Sequence, residues 1–334
     1  MQIKNPTLIR GKWARWVIYS MVLIGLVFFL SNRSISFSSD NGFDLTDTLI
    51  PRDDIYHGGP GRDDIPSIDR PRFISANEAE FLEPTDRVLG LVLDDVVRAY
   101  PVKILNYHEI VNDTVNKQAI VVSYCPLCGS GVAFAPELKG TDNSFGVSGL
   151  LYNSDMLLYD RTTGSLWSQI MGQAISGRLK GHKLVTLVLA NTSWSHWLQQ
   201  HPDTEGLSTR TGFYRNYKRH PYGDYDVNRA VYFPVSNTSA RYHPKARVIG
   251  LVLGEKSKAW PVSELAKQHL SVIEDEFAGQ TLRVHYDADS QSAVIYDTQG
   301  QQLTTTTLFW FAWVAFHPDT EVYELRGTND KPKK

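Results

Sequence analysis

Runs of apolar residues, broken by short polar turns, predict a chain built mainly of β-hairpins. The segment RVLGLVLDDVVRAYPVKIL, residues 87–105, has two apolar stretches around a polar turn, and its second strand stops at Pro101, which cannot continue a strand ladder. A short helix, VKILNYHEI, is predicted next, followed by the strand IVVSY, which leads into the stretch CPLCG. A last helical segment precedes the triplet His-Pro-Asp.

The same succession of elements occurs twice. Residues 87–105 match residues 247–265 at an offset of 160, and residues 192–205 match residues 308–321. Between these blocks, QAIVVSYCPLCGSGVAF aligns with QTLRVHYDADSQSAVIY. Three matches in the same order indicate an internal duplication.

The duplication predicts a single α+β unit, rich in antiparallel sheet and built from two pseudo-repeats of about residues 86–205 and 246–321. An N-terminal transmembrane signal anchor precedes this unit. The predicted segments are a basic tip with the anchor (1–33), an irregular lead-in (34–85), repeat one with the Cys-x-x-Cys motif and inserted hairpins (86–205), a connection (206–245), and repeat two, which lacks the cysteines (246–325).

One apolar run near the N-terminus predicts a membrane segment. The run from Trp16 to Ser31 contains no charged residue, and four basic residues precede it. Sixteen helical residues extend about 24 Å, slightly less than a hydrocarbon core of about 30 Å, and the flanking Arg15 and Arg33 can reach the interfaces. We therefore predict that residues 16–31 cross the lipid bilayer once, as an uncleaved signal anchor.

The charge distribution also predicts the topology. Because the basic residues precede the apolar run, the N-terminus is expected in the cytoplasm and the globular part on the periplasmic or other extracytoplasmic side of the cell membrane. The alternative is secretion after cleavage near Ser34 to Ser36, a weak match to a cleavage site. A formal net charge of −2 provides no basic surface for nucleic acid, so we predict no nucleic-acid partner.

The chain has two cysteines, Cys125 and Cys128, which form a Cys-x-x-Cys motif. A disulfide across so short a ring contributes only about 2 kcal/mol in the chain-entropy model, which leaves redox chemistry and metal binding as the stronger alternatives. A thioredoxin-like site is disfavoured because GSGVAF after the motif predicts a turn and a strand instead of a helix. Covalent haem attachment is disfavoured because Gly129 follows Cys128 where a His is needed.

A metal site would need further ligands. A structural zinc ion takes four, and the chain has no second Cys-x-x-Cys. We predict His108 as a candidate ligand, with a carboxylate such as Glu109 or Asp160. Because two thiolates can also hold a soft ion such as Cu(I), the predicted cofactor is a soft metal ion, copper or zinc.

A second group of candidates lies in YDRTTGSLWSQ, residues 159–169. Asp160 and Arg161 are adjacent, and Arg161 could clamp a carboxylate or a phosphate. Trp167 and Gln169 could line a substrate pocket. The alternative is an ordinary hairpin with a surface Asp and Arg, which this segment by itself favours.

The duplication offers an internal comparison for the thiols. At an offset of 162, Cys125 aligns with Asp287 and Cys128 with Ser290, whereas Gly, Pro, Tyr and apolar positions are shared. We therefore predict that repeat one holds the site and that repeat two is a structural partner. His201 and His317 precede Pro-Asp in both copies and are predicted to be structural.

Longer motifs resemble a known family. SYCPLCGSGVAF, FGVSGLLYNSDMLLYDRTTGSLWSQ, HPYGDY and YHPKARVIGL are similar to the prokaryotic family catalogued as domain of unknown function 3179, over roughly residues 55–325. The resemblance implies no established activity. We predict a membrane-anchored extracytoplasmic protein whose Cys125 and Cys128 form a redox or soft-metal centre, an oxidoreductase if it is an enzyme. The alternative is a non-catalytic binding or scaffold module with an inert disulfide.

Overall fold

Short strands joined by tight turns make up most of the protein, seen here in a computed structural model that describes residues 40–325. The predicted membrane segment, residues 16–31, lies outside the described residues. Within residues 40–325, no helix is long and apolar enough to cross a membrane.

The first part of repeat one folds into a hairpin, a short helix and a three-stranded meander. The elements up to this point are β1 (Ile55–His57), β2 (Phe73–Ser75), β3 (Arg87–Leu93), β4 (Val96–Pro101), α1 (Val102–His108), β5 (Ile110–Val115), β6 (Gln118–Cys125) and β7 (Ser130–Ala135), with 3-10 helices at Arg52–Asp54 and Ala76–Glu78. Strand β3 pairs with β4, and β6 pairs with both β5 and β7. The apolar alternation of the sequence thus forms hairpins where it predicts them.

The block inserted in repeat one adds a sheet of its own. The elements from here to the end of the repeat are β8 (Phe145–Tyr152), β9 (Asp155–Asp160), β10 (Leu166–Ser168), β11 (Gln173–Ala174), β12 (Val185–Leu187), β13 (Ala190–Ser193), α2 (Trp194–Gln200) and β14 (Glu205–Leu207). Strands β8 to β11 are consecutive antiparallel neighbours, and β1 extends their sheet. Strand β12 pairs instead with β7.

Repeat two forms its elements in the same order, without the insertion. They are β15 (Arg247–Leu253), β16 (Lys256–Pro261), α3 (Val262–Ala266), β17 (Val272–Phe277), β18 (Gln280–Asp287), β19 (Ser292–Tyr296), β20 (Thr306–Phe309), α4 (Trp310–Phe316) and β21 (Glu321–Val322).

The strand order within the sheets is the same in the two repeats. The order β13-β3-β4-β14 of repeat one corresponds to β20-β15-β16-β21, and β7-β6-β5 corresponds to β19-β18-β17. Strands β14 and β21 pair in parallel with β4 and β16, while the other strand pairs are antiparallel. Across residues 40–325 there are five sheets, in an arrangement that resembles a five-bladed propeller.

Helix is scarcer than the predicted α+β class implies, since only 11% of the structure is helical. Each α-helix spans between five and seven residues, which is about 10 Å at most. Helices α1 and α3 start directly after Pro101 and Pro261, and their length suffices only to join one sheet to the next. The fold is therefore mostly β, with helices as connectors.

A glycine in each hairpin explains why the repeats share both a Gly and a Trp. A Cβ atom on Gly90 would lie 2.3 Å from the Trp197 ring, and a Cβ atom on Gly250 would lie 2.1 Å from the Trp313 ring. Each indole Nε1 donates a hydrogen bond to the threonine seven residues later, at 2.9 Å and 2.8 Å. Helices α2 and α4 can approach their hairpins this closely because glycine has no side chain.

We expect Gly250→Ala to lower the free energy of unfolding by about 1–3 kcal/mol, because the added methyl group must displace a buried indole ring. The matched control is Gly206→Ala in β14, where the new Cβ would lie 3.7 Å from Ala79, an ordinary contact. Denaturant unfolding of the two variants and the wild type measures the difference. A Gly250→Ala protein as stable as the wild type would contradict the close packing of Trp313.

Candidate metal centre

Two free thiols lie side by side in the loop between β6 and β7. Cys125 is the last residue of β6 and faces Ser130 of β7, while Gly129 closes the loop with a φ of 62°, which glycine adopts without strain. The two sulfur atoms are unbonded and 3.9 Å apart, whereas a disulfide requires about 2.05 Å. The alternative prediction of an inert disulfide is therefore wrong.

Repeat two covers this loop with strand β20. The Phe309 N–H donates to the Cys128 carbonyl oxygen at 2.8 Å, and the Phe309 ring packs so closely that a Cβ on Gly129 would be 2.9 Å from it. Cys125 and Cys128 are 1% and 0% exposed. They belong to an apolar cluster that also includes Trp310 of α4. Residues of both repeats thus exclude water from the thiols.

The tight turn between β8 and β9 brings a carboxyl group to the thiols. Its central residues, Asn153 and Ser154, have φ values of 53° and 64°, the left-handed conformation that type I′ hairpin turns require. The backbone N–H of Ser236 donates to the Asn153 side chain at 2.7 Å and holds the turn. The Cys128 thiol donates to the Ser154 carbonyl oxygen at 3.3 Å, which places the next residue, Asp155, beside the sulfur atoms.

Cys125, Cys128 and Asp155 form a group that could hold a metal ion. Their ligand atoms, two sulfurs and a carboxylate oxygen, all lie within 4.8 Å of one another, and all three residues are buried. Thiolate, imidazole and carboxylate are the side-chain ligands that zinc accepts. The loop of one hairpin and the turn of the next therefore supply three suitable ligands at one point.

Gln169, which directly follows β10, hydrogen-bonds to both Asp155 and the Cys125 backbone. Its amide oxygen accepts from the Cys125 N–H at 3.2 Å, and its nitrogen donates to Asp155 Oδ1 at 3.1 Å and to Ser130 Oγ at 2.6 Å. The amide takes this orientation because the Cys125 N–H can only donate. The backbone N–H of Ile170 donates to the second Asp155 oxygen at 3.1 Å. Such hydrogen bonds orient the ligands of metal sites.

Burial favours the neutral form of all three acidic groups. It raises the pKa of Asp155 to about 8, raises the pKa of Cys125, and raises the pKa of Cys128 well above its ordinary value. Each anion loses hydration in this apolar cluster. A bound cation reverses that balance, since a metal ion deprotonates the thiols that coordinate it.

The connection between the repeats adds an aromatic ring and a buried cation. Lys245 Nζ lies 3.2 Å from the centroid of the Tyr225 ring and donates to the carbonyl oxygens of Tyr225, at 2.9 Å, and Ala230, at 2.6 Å. Burial lowers the pKa of Lys245 to about 8. Among the residues that the structure describes, no carboxylate forms an ion pair with this ammonium group.

A cleft of about 260 Å³ is lined in part by Gln169 and Ile170, the two residues that donate hydrogen bonds to Asp155. Repeat one contributes Phe134 and repeat two contributes Trp313 and His317. The His317 ring lies against Trp313 with centroids 4.1 Å apart and the ring planes tilted by 41°, and burial lowers the pKa of His317 to about 4. The cleft therefore has a neutral imidazole on one wall and, on another, the amide that contacts Asp155.

The equivalent loop of repeat two is a polar turn capped by its own carboxylate. Asp287 is the last residue of β18, as Cys125 is of β6. Its carboxylate accepts the Ser290 N–H at 2.7 Å and lies 3.3 Å from His196 Nδ1. The same backbone loop thus carries a capping carboxylate in one repeat and two thiols in the other.

The structure places His108 and Glu109 outside the thiol–carboxylate group. The two ring nitrogens of His108 lie 2.8 Å from the Pro66 carbonyl oxygen and 2.7 Å from the Tyr217 hydroxyl, so both have partners. Glu109 is buried and interacts electrostatically with Cys125, but its carboxyl group accepts a hydrogen bond from Tyr222 at 3.1 Å. Glu109 is therefore near enough to interact electrostatically with Cys125, although it is not one of the three grouped ligands.

The other candidates stabilise the insertion, with Gln169 as the exception. Asp160 accepts hydrogen bonds from the Thr163 backbone at 2.7 Å and from Trp167 Nε1 at 3.2 Å, and so closes the turn after β9. Arg161 pairs with Asp69 of the lead-in at 2.7 Å. Trp167 is fully buried. The hairpin alternative is therefore wrong in placing Asp160 at the surface, since its carboxyl group is buried, and Gln169 lines the cleft.

Sequence reasoning missed Asp155, together with Ser154, Tyr225 and Lys245. Asp155 ends the motif YNSD, which predicts a tight turn and therefore suggests a solvent-exposed carboxylate. The sequence signal that could have identified Asp155 as buried is the apolar run that follows it. A carboxylate at the start of such a strand lies in a buried sheet.

These features define a mostly antiparallel β protein with a buried dithiol–carboxylate group. The chain belongs to the family described as "Protein of unknown function (DUF3179)", whose sequence profile matches residues 62–320. The resemblance predicted from the motifs is thereby confirmed. Neither the curated proteins nor the solved structures contain a match to the chain.

We expect both thiols to resist alkylation by iodoacetamide in the folded protein and to react when the chain is unfolded in denaturant. Alkylation needs an accessible thiolate, and Cys125 and Cys128 are buried with raised pKa values. The positive control is Val185→Cys, at a position that is 57% exposed. Mass spectrometry after a short pulse gives the modified fraction, and rapid labelling of Cys125 or Cys128 in the native protein would contradict the burial.

Glu109 is expected to make stability depend on pH. Burial raises its pKa from 4.5 to about 7, so the stability associated with its neutral carboxyl is fully present below about pH 4.5 and is lost as the pH rises through about 7. In metal-free protein, the wild type should lose stability relative to Glu109→Gln by at most about 1.4 kcal/mol per pH unit over this window. A difference that stays constant from pH 4 to pH 8 in denaturant unfolding would refute the shift.

Proposed function

We propose that the protein binds one transition-metal ion, zinc in the first instance, through Cys125, Cys128 and Asp155. The observation that carries this proposal is the proximity of their three ligand atoms, all within 4.8 Å in a buried site. The ligands come from two hairpins and are held by Gln169, which contacts both Asp155 and the Cys125 backbone.

The distance between the sulfur atoms fits a tetrahedral sulfur–metal–sulfur angle better than a linear one. Two thiolates at the usual zinc–sulfur distance of about 2.3 Å are about 3.8 Å apart in a tetrahedral site, and the observed separation is 3.9 Å. A linear ion with the same bond length would require about 4.6 Å. Little movement of the loop is therefore needed to receive a tetrahedral ion.

The carboxylate favours zinc over copper. Cu(I) prefers soft sulfur ligands, whereas zinc accepts a mixture of sulfur, nitrogen and oxygen. Asp155 is oriented by two hydrogen bonds, from Gln169 and from the Ile170 N–H. An ordered carboxylate next to two thiols suits an ion that is intermediate between hard and soft, as zinc is.

Metal binding accounts for the thiols better than an oxidoreductase role through thiol–disulfide exchange does. Exchange requires a thiolate that a partner can approach, but both sulfurs are buried and burial raises their pKa values. A metal ion needs no such approach by a second protein and brings the charge that makes the thiolates stable.

We also propose that residues 16–31 anchor the chain in a membrane, with the metal centre on the extracytoplasmic side. Free thiols at short distance tend to become oxidised in such a compartment. A metal ion held by both sulfurs would keep them reduced there.

The test is metal analysis of the purified full chain. After incubation with zinc and removal of the excess, we expect one zinc ion per chain in the wild type and an apparent affinity at least about tenfold lower in Cys125→Ser, Cys128→Ser and Asp155→Asn, since even residues that only orient ligands change metal affinity by about 10- to 100-fold. A parallel incubation with Cu(I) determines which metal the site prefers.

The matched control is Asp160→Asn, which changes a buried carboxyl group outside the site. The new amide oxygen can still accept from the Thr163 N–H, and the amide nitrogen can donate to the Thr163 hydroxyl, while the hydrogen bond from Trp167 is lost, so circular dichroism is used to verify that the variant folds. Zinc binding equal to the wild type is expected in this variant. The proposal is overturned by a wild type that binds no metal, by binding that survives all three ligand substitutions, or by recovery of the chain with a Cys125–Cys128 disulfide.

A further inference from the structure

Two buried hydroxyl groups near the thiols lack a well-formed hydrogen bond within residues 40–325. Ser154 and Tyr225 are both 0% exposed, and the Tyr225 hydroxyl approaches the Ser154 side chain and the Tyr232 backbone without reaching hydrogen-bond geometry. Unsatisfied polar groups are rare in protein interiors because they lose the hydrogen bonds of water without replacement. Two such groups in one place point to a ligand that both of them bind.

The position of these hydroxyls relates them to the metal group. Ser154 immediately precedes Asp155, and its carbonyl oxygen accepts the thiol of Cys128 at 3.3 Å. The Tyr225 hydroxyl lies beside Ser154 without reaching good hydrogen-bond geometry, and the two thiols contribute to raising the Tyr225 pKa, after burial as the main cause. Ser154 therefore contacts Cys128 through its backbone, and Tyr225 belongs to the same buried cluster as the two thiols.

The number of protein ligands leaves one position of a tetrahedral ion to be filled. Within residues 40–325, the group of His, Cys, Asp and Glu residues around the thiols has three members, and zinc sites with three protein ligands carry water or substrate in the fourth position. Serine and tyrosine hydroxyls can donate a hydrogen bond to such a ligand and also accept one from it.

The charge of the surroundings agrees with an anionic ligand set. Two thiolates and a carboxylate exceed the charge of a divalent ion by one. The buried Lys245 ammonium lies 3.2 Å from the centroid of the Tyr225 ring and interacts electrostatically with Cys128 as well as with Asp226, so it can offset part of that charge. Lys245 approaches the site through the ring that carries the unpartnered hydroxyl. The Tyr225 ring therefore lies in contact with a positive charge, and its hydroxyl group can face the fourth ligand.

We propose that the fourth ligand of the metal ion is a solvent oxygen, water or hydroxide, hydrogen-bonded by Ser154 Oγ and the Tyr225 hydroxyl. This inference rests on the proposed metal site of Cys125, Cys128 and Asp155. It makes the centre an open one, in which a small oxygen-donor ligand replaces the water, and not a closed structural site.

The test uses the full chain loaded with Co²⁺, a paramagnetic substitute for zinc. Its electron paramagnetic resonance spectrum is recorded in ordinary water and in water enriched in oxygen-17, whose nuclear spin broadens the signal when solvent oxygen is bound to the ion. We expect broadening in the wild type. Ser154→Gly and Tyr225→Phe should each lower the Co²⁺ affinity by about 10- to 100-fold, as loss of an outer hydrogen-bond partner does.

The variants are chosen to preserve the fold. Gly suits the φ of 64° at position 154, and Phe keeps the ring that covers Lys245. Tyr217→Phe is the control, because it removes another buried hydroxyl of the connection, one that lies 2.7 Å from His108 Nε2. Its Co²⁺ affinity and its broadening should match those of the wild type.

The outcomes separate this inference from the metal site itself. A wild type that binds no Co²⁺ overturns the metal site and the inference with it. Bound Co²⁺ without oxygen-17 broadening leaves the metal site intact and overturns the solvent ligand. If Tyr225→Phe gains broadening that the wild type lacks, the phenol oxygen itself is the fourth ligand. Unchanged affinity in both Ser154→Gly and Tyr225→Phe overturns the role of the two hydroxyls.

Discussion

Exclusion of water from three acidic groups is the constraint on which the site depends. Cys125, Cys128 and Asp155 lie in an apolar cluster shared by both repeats, where burial raises all three pKa values. Anions in such surroundings require a nearby positive charge. Burial therefore favours the neutral form of all three groups, and a divalent cation would convert the same burial from a penalty on ionisation into strong, weakly screened attraction.

The duplication shows how one fold can separate structure from chemistry. Both repeats have the same strand order and the same close contact between a glycine and a tryptophan. These contacts explain why the two repeats share those residues. The loops after β6 and β18 have the same place in the fold, yet Asp287 and Ser290 satisfy each other whereas the thiols face Asp155 of the insertion. Repeat two contributes to the centre from outside, because Phe309 seals the loop that holds the sulfur atoms.

The hairpins, the duplication and the family could be predicted because they follow from local patterns. Apolar alternation ends at Pro101 and Pro261 in both copies, and the strands end there as well. The helical content was overestimated because the segments after these prolines are helical in pattern but too short to exceed one or two turns. The contribution of the chain before residue 40 stays a prediction, since it concerns residues outside those described.

Local sequence pattern is enough to place the two cysteines at the end of a strand, in the repeat that carries an insertion, and to show that repeat two has no counterpart of them. Which carboxylate accompanies them depends on how the hairpins pack. His108 and Glu109 are closer in sequence, but the helix end that carries them directs His108 towards Pro66 and Tyr217. Asp155 reaches the thiols because one hairpin packs across another, and no local periodicity encodes a contact between two turns.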